Sequence, residues 1–303
     1  MFGKLKRYLK DPYFALGCDL IKSHPHWMSD RLYLYTQFAL LEGYKPNLKV
    51  PQTLNEKMLW LKLNDHNPLY TRMADKFEMK AIVAQSCGEE HVIPTLGIYN
   101  SVEEIDWDVL PNAFVMKCTH DSGSFTFVPD KSRIDKEQIK AKLSKHLHTN
   151  FFLEAREWSY KYIKPRIIAE PILSNADGSP LIDYKFYCYG GEMMYWMYSV
   201  GETEHSGKNL KFDRNGKCID HLFKKKPKMP LSDVKLPKNL DEMIVFAERL
   251  GKNFPHLRVD MYNVNGHIYV GEFTFYSNGG YINIENCEYS NLLADKIDIT
   301  KVK

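Results

Sequence analysis

Arg258-Val-Asp260 and Glu272-Phe-Thr274 are the two stretches that decide the fold, and a turn signal at Asn265-Gly266 lies between them. An Asn-Gly pair flanked by apolar, β-forming residues predicts a β-hairpin. Because residues two apart along a strand share a face, the outer residues of each triplet point the same way. Two carboxylates that met on one such face would form a hard oxygen site suited to Mg²⁺.

The register of this hairpin decides whether the carboxylates meet. A two-residue loop of Asn265-Gly266 pairs Asp260 with Gly271 and sends Glu272 to the other face of the sheet. A three-residue loop that includes His267 pairs Asp260 with Glu272 instead. The metal hypothesis therefore predicts a bulge or an odd-length loop. On spacing alone, solvated hairpin charges are an equally good interpretation.

Further upstream, Val115-Met-Lys117 reads as a buried strand that ends in a lysine, and the small polar loop Cys118-Thr-His-Asp-Ser122-Gly123-Ser124 follows it. Loop amides can cradle phosphate oxygens while a lysine adds a point charge. Taken alone, an ordinary hairpin with a solvated lysine remains the favoured interpretation.

Two more predicted strands carry charged residues. Arg166 to Glu170 leads into Pro171-Ile172-Leu173, where a proline-restricted segment could offer unpaired backbone groups to a flat heterocycle, although a plain edge strand is the stronger interpretation alone. The strand Leu181 to Tyr189 alternates, which places Asp183 and Lys185 on one face.

Composition and charge exclude several classes of protein. The chain has 303 residues, of which 44% are hydrophobic and 26% charged, so it can bury a sizeable core and is not globally disordered. The formal net charge of +3 is too small to indicate a nucleic-acid partner. Six scattered cysteines form no CxxC pair and no zinc spacing.

The same features predict a cytoplasmic location. No apolar h-region of a signal peptide opens the chain, and the longest nearly apolar run, Met193 to Val200, is far shorter than a membrane span. Basic and apolar residues interleave within residues 1–10. A packed N-terminal helix is the favoured interpretation, and peripheral contact with the inner face of the membrane is the alternative.

Hydrophobic periodicity and helix-capping signals give the order of the elements. Asp30 is the predicted N-cap of a helix that stops at Gly43, and Thr53 and Glu56 form a capping box. Helices are predicted over 30–43, 53–63, 68–86, 135–148 and 239–252, and strands over 92–99, 113–118, 125–128, 166–170, 181–189 and 193–200. The polar, lysine-rich segment 201–238 reads as an insertion or mobile loop at the surface.

In this order the stretches resemble the ATP-grasp superfamily, an α+β fold in which two lobes clasp a nucleotide. The likeness rests on Met73-Ala-Asp75-Lys76, Val92-Ile-Pro94, Phe114-Val-Met-Lys117, Ile168-Ala-Glu170 and the two triplets of the hairpin. Within the superfamily the chain is similar to the TupA-like branch, which is associated with surface-polysaccharide and teichuronopeptide biosynthesis. That closer likeness covers about residues 50–285 and rests on Thr53-Leu-Asn-Glu-Lys57, Trp60-Leu-Lys62, Asn67-Pro-Leu-Tyr70, Lys117 to Gly123 and Gly271 to Phe275.

The resemblance implies an organisation and a set of roles. It implies an N-terminal helical segment over 1–70, an N-terminal lobe over 71–170 and a C-terminal lobe over 171–303 that carries the basic insertion 201–238. The cofactors implied are ATP and Mg²⁺. The implied roles are phosphate contact for Lys76, Lys117 and the loop Ser122, Gly123 and Ser124; adenine contact for Glu170 and the backbone near Ile172; ribose or nearby polar contact for Asp183 and Lys185; catalysis for Arg258 and Lys117; and Mg²⁺ ligation for Asp260, Glu272 and Thr274.

Two departures from the superfamily pattern matter. Thr274 stands where the superfamily commonly has asparagine, so Asn278 is an alternative ligand. The residues before Asp75 read as helical and are too few for the Rossmann-like domain that many relatives carry. The acceptor site is therefore expected from residues 1–70 and the basic segment 201–238.

The resemblance implies a ligase that forms an acyl-phosphate and then an amide. In a polysaccharide context the acceptor is a carbohydrate or glycan, such as a uronic acid, and the donor is a small amine. A kinase acting on a sugar hydroxyl is the nearest alternative. A glycosyltransferase that uses a sugar nucleotide is disfavoured, and a non-catalytic binder is the fourth alternative.

Overall fold

The chain folds around two antiparallel sheets, which confirms the predicted α+β class. The structure, a computed structural model, describes residues 12–200, 208–224 and 229–302. The strands are β1 (Gly97–Tyr99), β2 (Phe114–Cys118), β3 (Thr126–Val128), β4 (Ile167–Glu170), β5 (Ile182–Tyr189), β6 (Glu192–Val200), β7 (Asn209–Phe212), β8 (His256–Val264) and β9 (His267–Thr274). One sheet has the order β1-β4-β2-β3 and the other has the order β7-β6-β5-β8-β9.

Helices surround the sheets and form most of the first 90 residues. They are α1 (Pro12–Lys22), α2 (Asp30–Glu42), α3 (Leu54–Asn64), α4 (Leu69–Ala74), α5 (Met79–Cys87), α6 (Lys136–Leu147), α7 (Phe152–Ala155), α8 (Leu240–Gly251) and α9 (Cys287–Lys296). A short 3-10 segment at Trp158–Tyr160 precedes β4. The basic N-terminal stretch, for which a packed helix was favoured and membrane contact was the alternative, lies within residues 1–11, outside the described residues.

The capping signals are confirmed with one correction. Thr53 and Glu56 make the reciprocal bonds of a capping box at the start of α3. Gly43 ends α2 in the left-handed conformation, with φ 78°. The N-cap of α2 is Ser29 rather than Asp30, because the Ser29 hydroxyl accepts from the amide of Leu32.

The helix predicted over 68–86 is wrong as a single element. It breaks into α4 and α5 at Asp75, whose Oδ1 accepts from the amides of Phe77 at 2.8 Å and Glu78 at 3.2 Å. A side chain that bonds the backbone two and three residues ahead offers an alternative to the helical ladder. The break turns Lys76 toward the loop after β2, where its backbone amide donates to Thr119 O at 3.1 Å.

Two other predictions need correction. The segment 201–238 is not simply a surface loop, since Asn209–Phe212 forms β7 at the edge of the larger sheet and Phe223 is buried in the core. Of the strand predicted over 92–99, only Gly97–Tyr99 is a strand, while Val92 makes an isolated bridge to Val270. In both cases tertiary pairing decides the structure more than local pattern.

The hairpin of β8 and β9 has the two-residue loop and also a bulge. Asn265 and Gly266 take positive φ values of 53° and 89°, as a type I′ turn requires. The register shifts after Asp260, so Gly271 is the extra residue and Asp260 pairs with Glu272. The three-residue loop was therefore wrong, whereas the bulge that the metal hypothesis required is confirmed.

Two hydrophobic cores correspond to the two sheets. The smaller core joins the four-stranded sheet to α6 through residues such as Phe114, Met116 and Leu143. The larger core lies between the five-stranded sheet and α8, whose buried apolar side chains include Met243, Ala247 and Leu250. Met73, Met79 and Val83 belong to this larger core. The predicted boundaries at residues 70 and 170 stay predictions.

Candidate functional site

One face of the five-stranded sheet carries a row of charges across three strands. Lys185 of β5 pairs with Asp260 of β8, which pairs with Glu272 of β9. In the next row Arg258 pairs with Thr274. These side chains lie on one face of the sheet, because successive residues of a strand point to opposite faces and the apolar residues between them point toward α8. The bulge at Gly271 is what brings Glu272 onto this face.

Asp260 is the centre of the row. Its side chain is buried and accepts from Lys185 Nζ at 2.6 Å and from Arg258 Nε at 2.7 Å. Asp183 lies at the other side of Lys185, at 2.5 Å from the same ammonium. Burial raises the pKa of Asp183 to about 6, although the charge of Lys185 opposes that shift. One oxygen of Asp183 has no hydrogen-bond partner in the structure.

Glu272 joins the row to a second part of the chain. Lys76 Nζ lies 3.3 Å from its Oε1, and Arg258 Nη2 lies 4.0 Å from its Oε2. Burial would raise the pKa of Glu272, but Lys76, Arg258, Lys185 and Lys117 outweigh it and lower that pKa to about 2. Its side chain stays 29% exposed, so a ligand can reach it.

Glu170 ends β4 in the smaller sheet and binds two lysines. Its carboxylate contacts Lys80 Nζ at 2.6 Å and Lys117 Nζ at 2.7 Å. Burial favours the neutral acid, but Lys117 and Lys80 outweigh it and lower the pKa of Glu170. Both oxygens of Glu170 are thus engaged, and the predicted adenine contact at Glu170 and Ile172 stays a prediction.

The loop after β2 is ordered by its own side chains. Ser124 accepts from the amide of Cys118 at 2.7 Å and donates to Asp121 at 2.6 Å. Asp121 also contacts His146 Nδ1 of α6 at 2.6 Å. Ser122 and Gly123 are exposed at the tip, and Gly123 has a φ of 96° that favours glycine. Ser124 therefore shapes the loop, and Ser122 and Gly123 are the members that a phosphate could contact.

Sequence reasoning missed several charged neighbours of this site. Lys80 is the second partner of Glu170, and its signal is its position four residues after Lys76 in a predicted helix. Lys62 is buried and donates to Gly279 O at 2.8 Å, just beyond β9. Burial raises the pKa of Glu157 to about 7 against the opposing charges of Lys62 and Arg258. Nothing in the local sequence pattern marks Glu157.

The carboxylates fit a hard divalent cation. Asp260 and Glu272 present oxygens from adjacent strands, and Mg²⁺ is commonly held by one or two carboxylates together with substrate phosphates. Among the described residues no three His, Cys, Asp or Glu side chains form a complete metal cage. The arrangement therefore suits a cation that arrives with phosphate oxygens. Ligation by Thr274, or by Asn278, stays a prediction.

Comparisons with known proteins come from a family profile and from solved structures. The profile of the family described as TupA-like ATPgrasp matches residues 56–298. D-alanine–D-alanine ligase from Bacillus anthracis in complex with ATP is 15% identical, with a TM-score of 0.40, over 76% of this chain and 65% of that one. No curated protein sequence matches the chain.

Two further solved structures show similarly distant likeness. Biotin carboxylase from Campylobacter jejuni is 9% identical, with a TM-score of 0.43, over 82% of this chain and 48% of that one. L-amino acid ligase from Bacillus licheniformis is 13% identical, with a TM-score of 0.40, over 79% of this chain and 47% of that one. The chain spans less than two thirds of the length of each of these proteins. None of the helices in the described ranges has the length and apolarity to cross a membrane.

Proposed function

We propose a function from one premise: the chain belongs to the TupA-like ATP-grasp family. The fold is accordingly the ATP-grasp fold, with its two sheets as the two lobes. We propose that the protein is an ATP- and Mg²⁺-dependent, ADP-forming ligase that joins a carboxylate to an amine. In this proposal the carboxylate belongs to a carbohydrate or glycan, such as a uronic acid, and the amine is small.

The observation that carries the proposal is the convergence of cations from both sheets on a pair of carboxylates. Lys185 and Arg258 of the larger sheet contact Asp260, and Lys76 reaches Glu272. Lys117 of the smaller sheet is paired with Glu170, and its charge also lowers the pKa of Glu272. Phosphoryl transfer needs positioning and charge neutralisation more than covalent chemistry by the protein. A mixed cluster of this kind can exchange its internal ion pairs for phosphate and metal contacts.

In this proposal the site residues contact different parts of the nucleotide and its metal ion. Lys76 and Lys117 hold phosphate oxygens, with Ser122 and Gly123 above them. The backbone around Ile172 contacts the adenine, and Asp183 and Lys185 contact the ribose or a nearby polar group. Asp260 and Glu272 hold Mg²⁺, which when bound neutralises charge on the phosphate oxygens.

The proposed reaction has two steps, phosphoryl transfer to the carboxylate and then amide formation. First, a carboxylate oxygen of the acceptor attacks the γ-phosphorus of ATP, and the bond to the ADP oxygen breaks. Arg258, beside Asp260, faces the transferring phosphate and stabilises its charge. Then the neutral amine attacks the acyl carbon, phosphate leaves with the bonding electrons, and the amine nitrogen loses one proton.

The test is an incubation with Mg-ATP, a uronate-containing glycan and an amine. The ligase predicts ADP, one free phosphate per turnover and a product heavier by the amine minus water. ADP without free phosphate, together with a phosphorylated glycan, would instead identify a kinase. Release of no ADP with any acceptor would contradict both enzymes.

A further inference from the structure

A cavity of about 890 Å³ opens on the other face of the five-stranded sheet from the charged row. Tyr184 of β5 and Tyr198 of β6 line it and pair with each other across the two strands. Because Tyr184 lies between Asp183 and Lys185 in sequence, it points to the opposite face. The cavity is therefore separate from the proposed nucleotide site.

The walls of the cavity come from the loop 175–180, the segment 229–239 and the turn of the last hairpin. Side-chain amides tie these walls together. Asn265 accepts from the amide of Ala176 at 2.9 Å, and Asn239 donates to Gly266 O at 3.0 Å. Asn263 donates to Asn239 at 2.5 Å. The cavity is thus preformed, as small-molecule sites usually are.

The floor is aromatic and carries two available hydroxyls. The rings of Tyr184 and Tyr198 meet edge to face, with centroids 5.7 Å apart. Within the described ranges, neither hydroxyl makes a hydrogen bond. A tyrosine with an apolar ring and a spare hydroxyl suits a ligand that has both a C–H face and hydroxyl groups.

The rim carries charges of both signs. Lys235 and Lys238 are exposed there, and so are Asp177 and Asp233. Lysines at a rim attract an anion, whereas carboxylates accept hydrogen bonds from hydroxyl groups. A fatty-acid or lipid tail would make no favourable contact with the two carboxylates, and a small anion without apolar surface would make none with the tyrosine rings. The combination fits a polyhydroxylated anion.

We propose that this cavity binds an anionic saccharide, specifically a run of uronic-acid units. Its tyrosines face the sugar rings and its lysines meet the carboxylates. A ligand on this face must pass around the edge of the sheet to reach the charged row, so the cavity suits a polymer rather than a single sugar. The assignment of this cavity as the docking site of the acceptor polymer rests on the proposed function. Binding of the saccharide itself does not require ATP.

The test is calorimetric titration of the full chain, without ATP, using a tetramer of galacturonic acid. The matched probe is the same tetramer with its carboxyl groups reduced to alcohols. The double variant Lys235→Glu/Lys238→Glu should weaken binding of the acid by roughly tenfold, since exposed ion pairs are individually weak and the variant reverses two of the charges that meet the carboxylates. Lys45→Glu/Lys49→Glu changes two exposed lysines elsewhere and should leave binding within about twofold.

Tyr198→Phe removes one floor hydroxyl but keeps the buried ring, so the fold is retained and affinity should fall several-fold. Equal affinity for the acid and reduced tetramers, equal loss in both lysine pairs, or no binding by the wild type would overturn the proposal. Thermal stabilisation by Mg-ATP, measured on the same proteins, reports on the proposed function separately. Stabilisation by Mg-ATP without tetramer binding would refute the saccharide site alone, and the reverse would refute the nucleotide site alone.

Discussion

Two carboxylate clusters, one in each sheet, hold lysines in different ways. Glu170 in the smaller sheet is buried, and each of its oxygens meets one lysine. Glu272 in the larger sheet is partly exposed, and its cations stand at 3.3 and 4.0 Å. The tight cluster fixes the position of Lys117, whereas the looser one can exchange its partners. In the proposed function, the tight cluster positions Lys117, and the looser one binds the metal cation with its phosphate oxygens.

The largest effect should come from the lysine that the tight cluster positions. Lys117→Ala should abolish measurable turnover, a loss on the order of 10²–10³ or more, because it removes a phosphate charge. Lys80→Met, which changes the other partner of Glu170, should cost far less. Steady-state ADP release by both variants, with circular dichroism as the check of folding, measures the contrast. Retained activity in Lys117→Ala would overturn its assignment.

The second-largest effect should come from Asp260, which pairs with Glu272 across β8 and β9. Asp260→Asn should remove Mg²⁺-dependent nucleotide binding, because a neutral amide is a weaker ligand for a hard cation. At 100 times the dissociation constant, a ligand stabilises the folded state by about 2.7 kcal/mol, so the thermal shift with Mg-ATP should largely disappear. Asp220→Asn is the control, since Asp220 is buried on Lys211 at the far edge of the same sheet. A wild-type shift in Asp260→Asn would contradict the metal site.

The bulge is what places Glu272 in the looser cluster, and Gly271→Ala tests it. A Cβ there would lie 2.8 Å from a ring carbon of Tyr262, so we expect a loss of about 1–3 kcal/mol in the free energy of unfolding and weaker Mg-ATP binding. Gly266→Ala, in the turn of the same hairpin, meets no atom within 4 Å and is strained only by its φ. That control should lose stability but keep Mg-ATP binding. Equal Mg-ATP binding by Gly271→Ala and Gly266→Ala would show that the site does not depend on the bulge.

The smallest effect is a pH dependence of stability. The pKa of Glu272 is lowered from 4.5 to about 2, so its ion pairs contribute fully above about pH 5 and are lost as the pH falls toward 2. Glu272→Gln should therefore flatten the decline in unfolding free energy between pH 5 and 3. Glu288→Gln, at an exposed position of α9, should keep the wild-type slope. Denaturant unfolding at several pH values measures both, and parallel slopes for all three proteins would refute the shift.

The sequence allowed most elements and the site's outline to be predicted, because these depend on local signals. The capping box at Thr53 and the alternation that puts Asp183 with Lys185 are of this kind. The likeness between the ordered stretches and the ATP-grasp superfamily then supplied what spacing alone left open. Family membership, now shown, confirms that likeness while the individual residue roles stay predictions.

The remainder could not be predicted because it depends on contacts distant in sequence. A bulge and a three-residue loop both pair Asp260 with Glu272, and only the fit of Gly271 beside Tyr262 selects the bulge. The break at Asp75 is further supported by Arg166, whose guanidinium lies 2.8 Å from the Asp75 carboxylate. Lys80 and Glu170 meet only after the sheet has formed.

The pairing of β1 with β4 sets how the smaller sheet is attached. Gly97 lies opposite Ala169, so the chain enters and leaves this sheet side by side at one edge. Just before the chain enters, Val92 is already bridged to Val270 of the larger sheet. The connection between α6 and β4 is a further attachment, because Arg156 reaches Asp30 of α2 at 2.9 Å. The loop after β2 lies at the opposite end of the smaller sheet, because the end of β2 pairs with the start of β4.

Lys76 connects the loop after β2 to the larger sheet. It precedes the smaller sheet, yet its backbone amide holds Thr119 O at 3.1 Å and its ammonium holds Asp121 O. The same ammonium lies 3.3 Å from Glu272. In the proposed function, a phosphate bound by Lys76 would compete with Asp121 O and Glu272 for its ammonium, so nucleotide binding would loosen the contact between this loop and the larger sheet.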